Sequence, residues 1–225
     1  MIGRAIALRI ISAAILVACT IAPARAVDAS PGVDFGQNRI GLPPEDFDFA
    51  ITGAGPLGQW MVVRDVTATC SIALEQSSDD LNEDRYRLAI YQPLSLKNLA
   101  ASVHFKLIKG AMQTAGIAFR LVDADNYYVV TANALEDRVD LARVQDGKKQ
   151  RIGGTDADVI LDHWQVLGVL AENDRFSVYL DGRPLFTVSD RTFSKEGRIG
   201  LWTEEDNVTR FDQLEITALP WSEER

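Results

Sequence analysis

The chain has 225 residues, 47% hydrophobic and 24% charged, the balance of an ordinary globular protein and not of a disordered tail or a fibre. Its formal net charge of −9 sets it against nucleic acid and anionic lipid surfaces and leaves neutral sugars, cations or a basic partner. One β domain can use most of this length, and a core of that size needs neither disulfides nor a structural metal.

The N-terminus reads as an export signal. Arg4 and Arg9 flank and precede an apolar stretch from Ile10 to Ile21, which is shorter than the ~20 apolar residues of a membrane span. Ala24-Arg25-Ala26 then places small residues where a signal peptidase reads them. Residues 1–26 are therefore expected to be removed, with Val27 opening a mature chain that is periplasmic or extracellular. Losing three arginines and no acid takes the net charge from −9 to about −12. Leu16-Val17-Ala18-Cys19 also resembles a bacterial lipobox, which would give a lipid anchor at Cys19 and no membrane span. Either route leaves Cys70 without a partner for an internal disulfide. Its neighbours Ile72, Ala73 and Leu74 predict a buried, inert thiol.

Residues 27–50 form an extended entry segment, punctuated by Pro31, Gly32, Gly36, Gly41, Pro43 and Pro44. Residues 51–225 form a single β domain. Short apolar runs lie at Trp60 to Val63 and Tyr86 to Tyr91. Alternation follows in 103–107, 117–121 and 176–180, where period two with β-branched and aromatic residues indicates half-buried strands. Asp146-Gly147 and Asp181-Gly182 separate such runs and predict tight hairpin turns, because glycine tolerates positive φ. No segment sustains a 3.6-residue period. Many short strands with regular turns predict a sandwich or barrel of about ten or more strands.

Side chains of a strand point alternately to opposite faces. Val103, Phe105 and Leu107 are assigned to the core, and so are Ile117, Phe119 and Leu121, then Val139, Leu141, Ile199 and Leu201. The opposite positions, if their strands share one sheet, put His104, Arg120, Tyr127, Asn133, Arg138, Asp140 and Trp202 on its open face. Polar groups beside aromatic rings suit a sugar, which offers hydroxyls at its edge and C–H groups on its faces. The same mixture also suits the plain solvated side of an antiparallel sandwich. Exposed Tyr127 and Trp202 would favour a site.

Familiar catalytic motifs find little purchase. Gly53-Ala54-Gly55-Pro56-Leu57-Gly58 has the glycines of a dinucleotide-binding loop, but a strand-like segment follows where that loop needs a helix, so a plain loop is expected. Only His104 and His163 are present as histidines, and no zinc or nucleophile-elbow pattern occurs. Glu136, Asp137 and Asp140 cluster around one strand. Asp123, Asp125 and Asn126 have the oxygen ligands of a calcium loop, although side chains capping their own turn explain them as well. No cofactor is implied.

The segments Gly116 to Arg120, Tyr127-Tyr128, His163-Trp164-Gln165, Leu180-Asp181-Gly182, Gly197 to Trp202 and Phe211-Asp212 occur in an order that resembles the concanavalin A-like jelly-roll proteins. Among these the chain looks most like the 3-keto-disaccharide hydrolase branch, also called domain of unknown function 1080. The resemblance runs from about Trp60 to Leu219, most of the mature chain, and implies two antiparallel sheets with a concave face for carbohydrate, carrying Arg120 and the Tyr127 strand. It departs from the branch at Thr114-Ala115 and Val129-Val130-Thr131. The leading expectation is an exported carbohydrate-binding module. The alternatives are a hydrolase of a modified disaccharide, using Glu136 and Asp140 as acids and Arg120 for substrate, and a surface domain for protein partners. Ligand identity and oligomeric state are left open.

Overall fold

The computed structural model describes residues 32–78 and 85–220. The expected signal, the lipobox and Cys19 lie outside the described residues. Among the described residues there is no helix, and so none long and apolar enough to cross a membrane.

Among the described residues, fourteen strands make two antiparallel sheets of seven. The first sheet holds β1 (Phe47–Ile51), β4 (Tyr86–Leu96), β13 (Gly197–Glu204), β6 (Thr114–Asp123), β7 (Asn126–Asn133), β8 (Arg138–Gln145) and β9 (Lys148–Asp156), in that order. The second holds β12 (Arg183–Ser189), β11 (Arg175–Leu180), β10 (Gln165–Glu172), β5 (Leu99–Lys109), β14 (Val208–Ala218), β3 (Ile72–Ser77) and β2 (Trp60–Arg64). The chain stays in one sheet through the β2–β3 pair, β6 to β9 and β10 to β12 and crosses between sheets at the other connections, as between β4 and β5. The alternation explains the layering. Val103, Phe105, Ile117, Phe119, Val130, Leu141, Ile199 and Leu201 join one buried cluster between the sheets.

Both predicted hairpins form, with left-handed φ at Asp146 (49°) and Gly147 (75°) and at Asp181 (50°) and Gly182 (73°). Positive φ at both central residues matches the right-handed twist of the flanking strands. The glycine-rich segment 53–58 is a loop, as expected.

Two expectations fail for identifiable reasons. Leu121 does not share the core face of Ile117 and Phe119 but joins the cluster on the outer side of the first sheet. Arg120 has φ 46° and the ladder with β7 breaks after Phe119, so one irregular residue inverts the alternation beyond it. Gly197 of β13 accommodates this kink, because a Cβ there would lie 2.4 Å from the Arg120 carbonyl carbon. Cys70 is exposed, not buried. It precedes the left-handed Ser71 in a turn (φ 57°), ahead of β3, where strand alternation does not apply.

Candidate functional site

Five of the seven residues expected on one face share the outer side of the first sheet: Tyr127, Asn133, Arg138, Asp140 and Trp202. Arg120 does not join them. The kinked backbone turns its guanidinium toward the end of the sandwich, where it is 1% exposed. It donates to the carbonyls of Lys97 (2.8 Å), Phe193 (3.0 Å) and Asn173, and it lies 5.0 Å from the Phe176 ring centroid. Burial lowers its pKa, with Asp174 and Tyr128 opposing. Arg120 is thus a staple among three loops. His104 is on β5, so it faces outward from the opposite sheet, between Val166 and Asp212. Strand polarity assigned its direction correctly, but nothing local to β5 reveals which sheet it enters.

The aromatic pair is not an exposed platform. Trp202 and Tyr127 are fully buried. Trp202 Nε1 donates to the Tyr127 hydroxyl at 3.1 Å, and that hydroxyl lies 2.7 Å from Thr52 Oγ1. Tyr86 stacks on Trp202 at 5.0 Å, and Lys149 caps both rings while pairing with Glu204 at 2.6 Å. Desolvation drives the Tyr127 hydroxyl well above its ordinary pKa, against its hydrogen bonds with Thr52 and Trp202.

These contacts join distant corners of the sheet. Thr52 follows β1 at one edge, whereas Ala124, Asp125 and Lys149 belong to the β6–β7 hairpin and the far edge strand β9. Even so, Thr52 Oγ1 donates to the Ala124 carbonyl at 2.6 Å and Gly53 N donates to Asp125 at 2.9 Å. The sheet therefore coils until one diagonal meets itself, and Tyr86, Leu88, Val129, Val144 and Trp202 form a second apolar cluster beneath. Part of the face where a ligand was expected is filled by the protein's own side chains.

What stays accessible is the polar corner on β8 and β9. Arg138 clamps Asp140 with two parallel bonds, Nε to Oδ2 and Nη2 to Oδ1, both 2.9 Å. Arg151 Nε reaches the same Oδ1 at 2.8 Å. Glu136 stands 3.7 Å from Arg138 Nε. Asp140, first among these causes, raises the Arg138 pKa. Side-chain exposure rises from 21% at Asp140 and 24% at Arg138 to 52% at Arg151. Arg138 Nη1 and both terminal nitrogens of Arg151 make no hydrogen bond among the described residues, so these N–H donors are uncommitted. Gly154 makes the arrangement possible, since a Cβ there would lie 1.8 Å from Asp140 Oδ1. Asn133 sits beside the patch but is occupied. It donates to Thr114 and accepts from the Leu135 and Glu136 amides, closing the turn before β8.

Both oxygens of Asp140 are engaged by guanidinium groups, and Glu136 faces the same arginine. Arg151 was missed in the sequence because 148–156 lacks an apolar alternation; the pair Gly153-Gly154 within a strand was the available signal. The calcium-like loop is a set of caps. Asp123 accepts from the Asp125 amide and from Asn126, and Asn126 accepts from the Asp146 amide. Among the described residues, no group of three or more His, Cys, Asp or Glu is arranged to hold a metal.

No family model matches the chain, and no curated protein does. Solved structures do match it. The carbohydrate-binding module CBM66 from Bacillus subtilis aligns over 76% of this chain and 95% of its own, with 22% identity and a TM-score of 0.61. A Bacillus subtilis protein of unknown function with a galectin-like fold aligns over 78% and 91%, with 9% identity and a TM-score of 0.56. The exoplasmic/lumenal domain of VIP36, in its Ca2+-bound form, aligns over 80% and 86%, with 12% identity and a TM-score of 0.57. At these identities the likeness establishes the fold alone: a concanavalin A-like jelly-roll sandwich of two antiparallel sheets.

Proposed function

We propose that this chain is an exported glycan-binding module that holds a neutral saccharide on the Arg138–Asp140–Arg151 corner. The observation that carries this is the doubly clamped Asp140 with free N–H donors beside it. Such a network recognises the vicinal hydroxyls of a sugar through charge-assisted hydrogen bonds. It is already ordered, so binding need not freeze loose side chains. The fold supports the reading, since one solved neighbour is named a carbohydrate-binding module and VIP36 is described in a Ca2+/Man-bound form. Export rests on the features of residues 1–26.

The test is a glycan array followed by calorimetry on the chain from Val27. Asp140→Ala is expected to weaken binding at least about tenfold, the equivalent of ~1.4 kcal/mol. Gly154→Ala should do the same without removing a charge, because its methyl displaces the Asp140 carboxylate. Saccharide binding unaffected by either change would refute the site. Turnover of a bound saccharide would shift the reading to a hydrolase with Glu136 and Asp140 as its acids.

A further inference from the structure

The opposite sheet carries a groove of about 410 Å³ on its outer face, within the ~300–1,000 Å³ range of small-molecule sites. Strand register makes its floor explicit. Tyr179 of β11, Gly168 of β10, Ser102 of β5 and Glu215 of β14 are successive partners across four neighbouring strands. At about 4.8 Å per strand, three spacings set the Tyr179 and Glu215 positions about 14 Å apart, on either side of a floor formed by β10 and β5. Leu170 and Ala100 continue that floor along the strands.

Gly168 is the informative residue. Glycine inside a strand costs ~0.5–1 kcal/mol relative to alanine, and it often marks the close approach of a ligand or of another backbone. Of the six glycines in the described strands, five have a structural reason. At Gly116, Gly154, Gly197 and Gly200 a Cβ would come within 2.8 Å of another atom, and at Gly153 within 3.3 Å. At Gly168 the nearest atom would be Tyr179 Cβ at 3.5 Å, an ordinary contact, and φ is not left-handed. The backbone does not require glycine here. What glycine provides is space beside an aromatic ring.

We infer that this groove is a second saccharide subsite, taking one neutral pyranose ring. The ring's C–H face lies against Tyr179, over Gly168, and its hydroxyls donate to Glu215 and exchange bonds with Ser102. Tyr179 is half-buried, which holds the ring at low entropic cost, and the Glu215 side chain is exposed. Among the described residues, the Glu215 carboxylate has no hydrogen-bond or ion-pair partner, and no cation lines the groove. This charge pattern selects against uronic and sulfated sugars. The subsite stands independently of the Asp140 corner, which belongs to the other sheet.

The experiment is a titration of the 15N-labelled chain from Val27 with methyl β-glucopyranoside, methyl β-galactopyranoside and methyl α-mannopyranoside. Methyl β-glucuronide serves as the anionic probe. At least one neutral glycoside should shift the Gly168 and Ser102 amides saturably, in wild type and in Asp140→Ala alike. Gly168→Ala should keep or raise the melting temperature yet weaken those shifts at least fivefold, and Tyr179→Ala should abolish them. The glucuronide should bind more weakly than the glucoside, by a margin that shrinks in Glu215→Gln. Four results would overturn the proposal: no saturable shift at these amides, shifts confined to β8 and β9, unchanged binding in Gly168→Ala, or equal binding of the glucuronide.

Discussion

Replacing Arg120 tests the assignment most directly, because a ligand-binding arginine and a loop staple predict opposite outcomes. In Arg120→Ala the carbonyls of Lys97, Asn173 and Phe193 lose their common donor within a region from which water is excluded. A hydrogen bond to a charged group contributes about 1.5–3 kcal/mol. Three at the low end give about 4–5 kcal/mol. Entry of water into the vacated space recovers part of this and leaves about 4 kcal/mol. For a domain of this size that corresponds to a fall in Tm of about 10 °C. Arg120→Gly loses the same bonds but suits the left-handed φ of 46°, so it should lie about 1 kcal/mol above the alanine variant. Urea denaturation with matched m-values measures both. A loss below about 1 kcal/mol for Arg120→Ala would be the behaviour of an ordinary surface residue and would refute the staple.

Tyr127→Phe should cost about 1–2 kcal/mol in the same assay, since it leaves Trp202 Nε1 buried without its acceptor and Thr52 without a partner hydroxyl. Fluorescence should report an altered Trp202 environment; unchanged stability would mean that the corner-to-corner closure is slack. On the second sheet, Asp65 lies buried between Lys106 (2.5 Å) and Arg210 (3.0 Å). Burial pushes its pKa up, but hydrogen bonds from Lys106, Thr67 and Arg210 outweigh this and hold the carboxyl well below its usual range. Its unfolded state therefore takes up the proton first, so its contribution is fully present above about pH 4 and fades as pH falls further. Asp65→Asn should flatten that part of the acid-denaturation profile and cost about 3 kcal/mol at neutral pH, by stranding Lys106. A profile that keeps its slope would assign the acid sensitivity to other carboxylates.

Local physics determined much of this protein in advance. Alternation in 103–107, 117–119 and 139–141 specified strands and their buried sides, because period two admits only one inward set. Asp-Gly pairs specified two hairpins, because few residues accept positive φ twice in succession. Composition and turn spacing were enough for an all-β sandwich or barrel, and the resemblance to jelly-roll proteins narrowed this to a sandwich. The tertiary structure decided what those strands do together. A single left-handed residue, Arg120, reversed the alternation and sent its own side chain inward, and no pattern in Gly116 to Leu121 announces it. Sheet membership separated His104 from the other candidates, because pairing partners lie far away in sequence. Coiling of the first sheet brought Thr52 to Tyr127 and Lys149 to Trp202, burying aromatic rings that alternation could only mark as pointing outward. The open corner at Arg138, Asp140 and Arg151 is what that closure leaves, since a twisted sheet that brings one diagonal together holds the other apart.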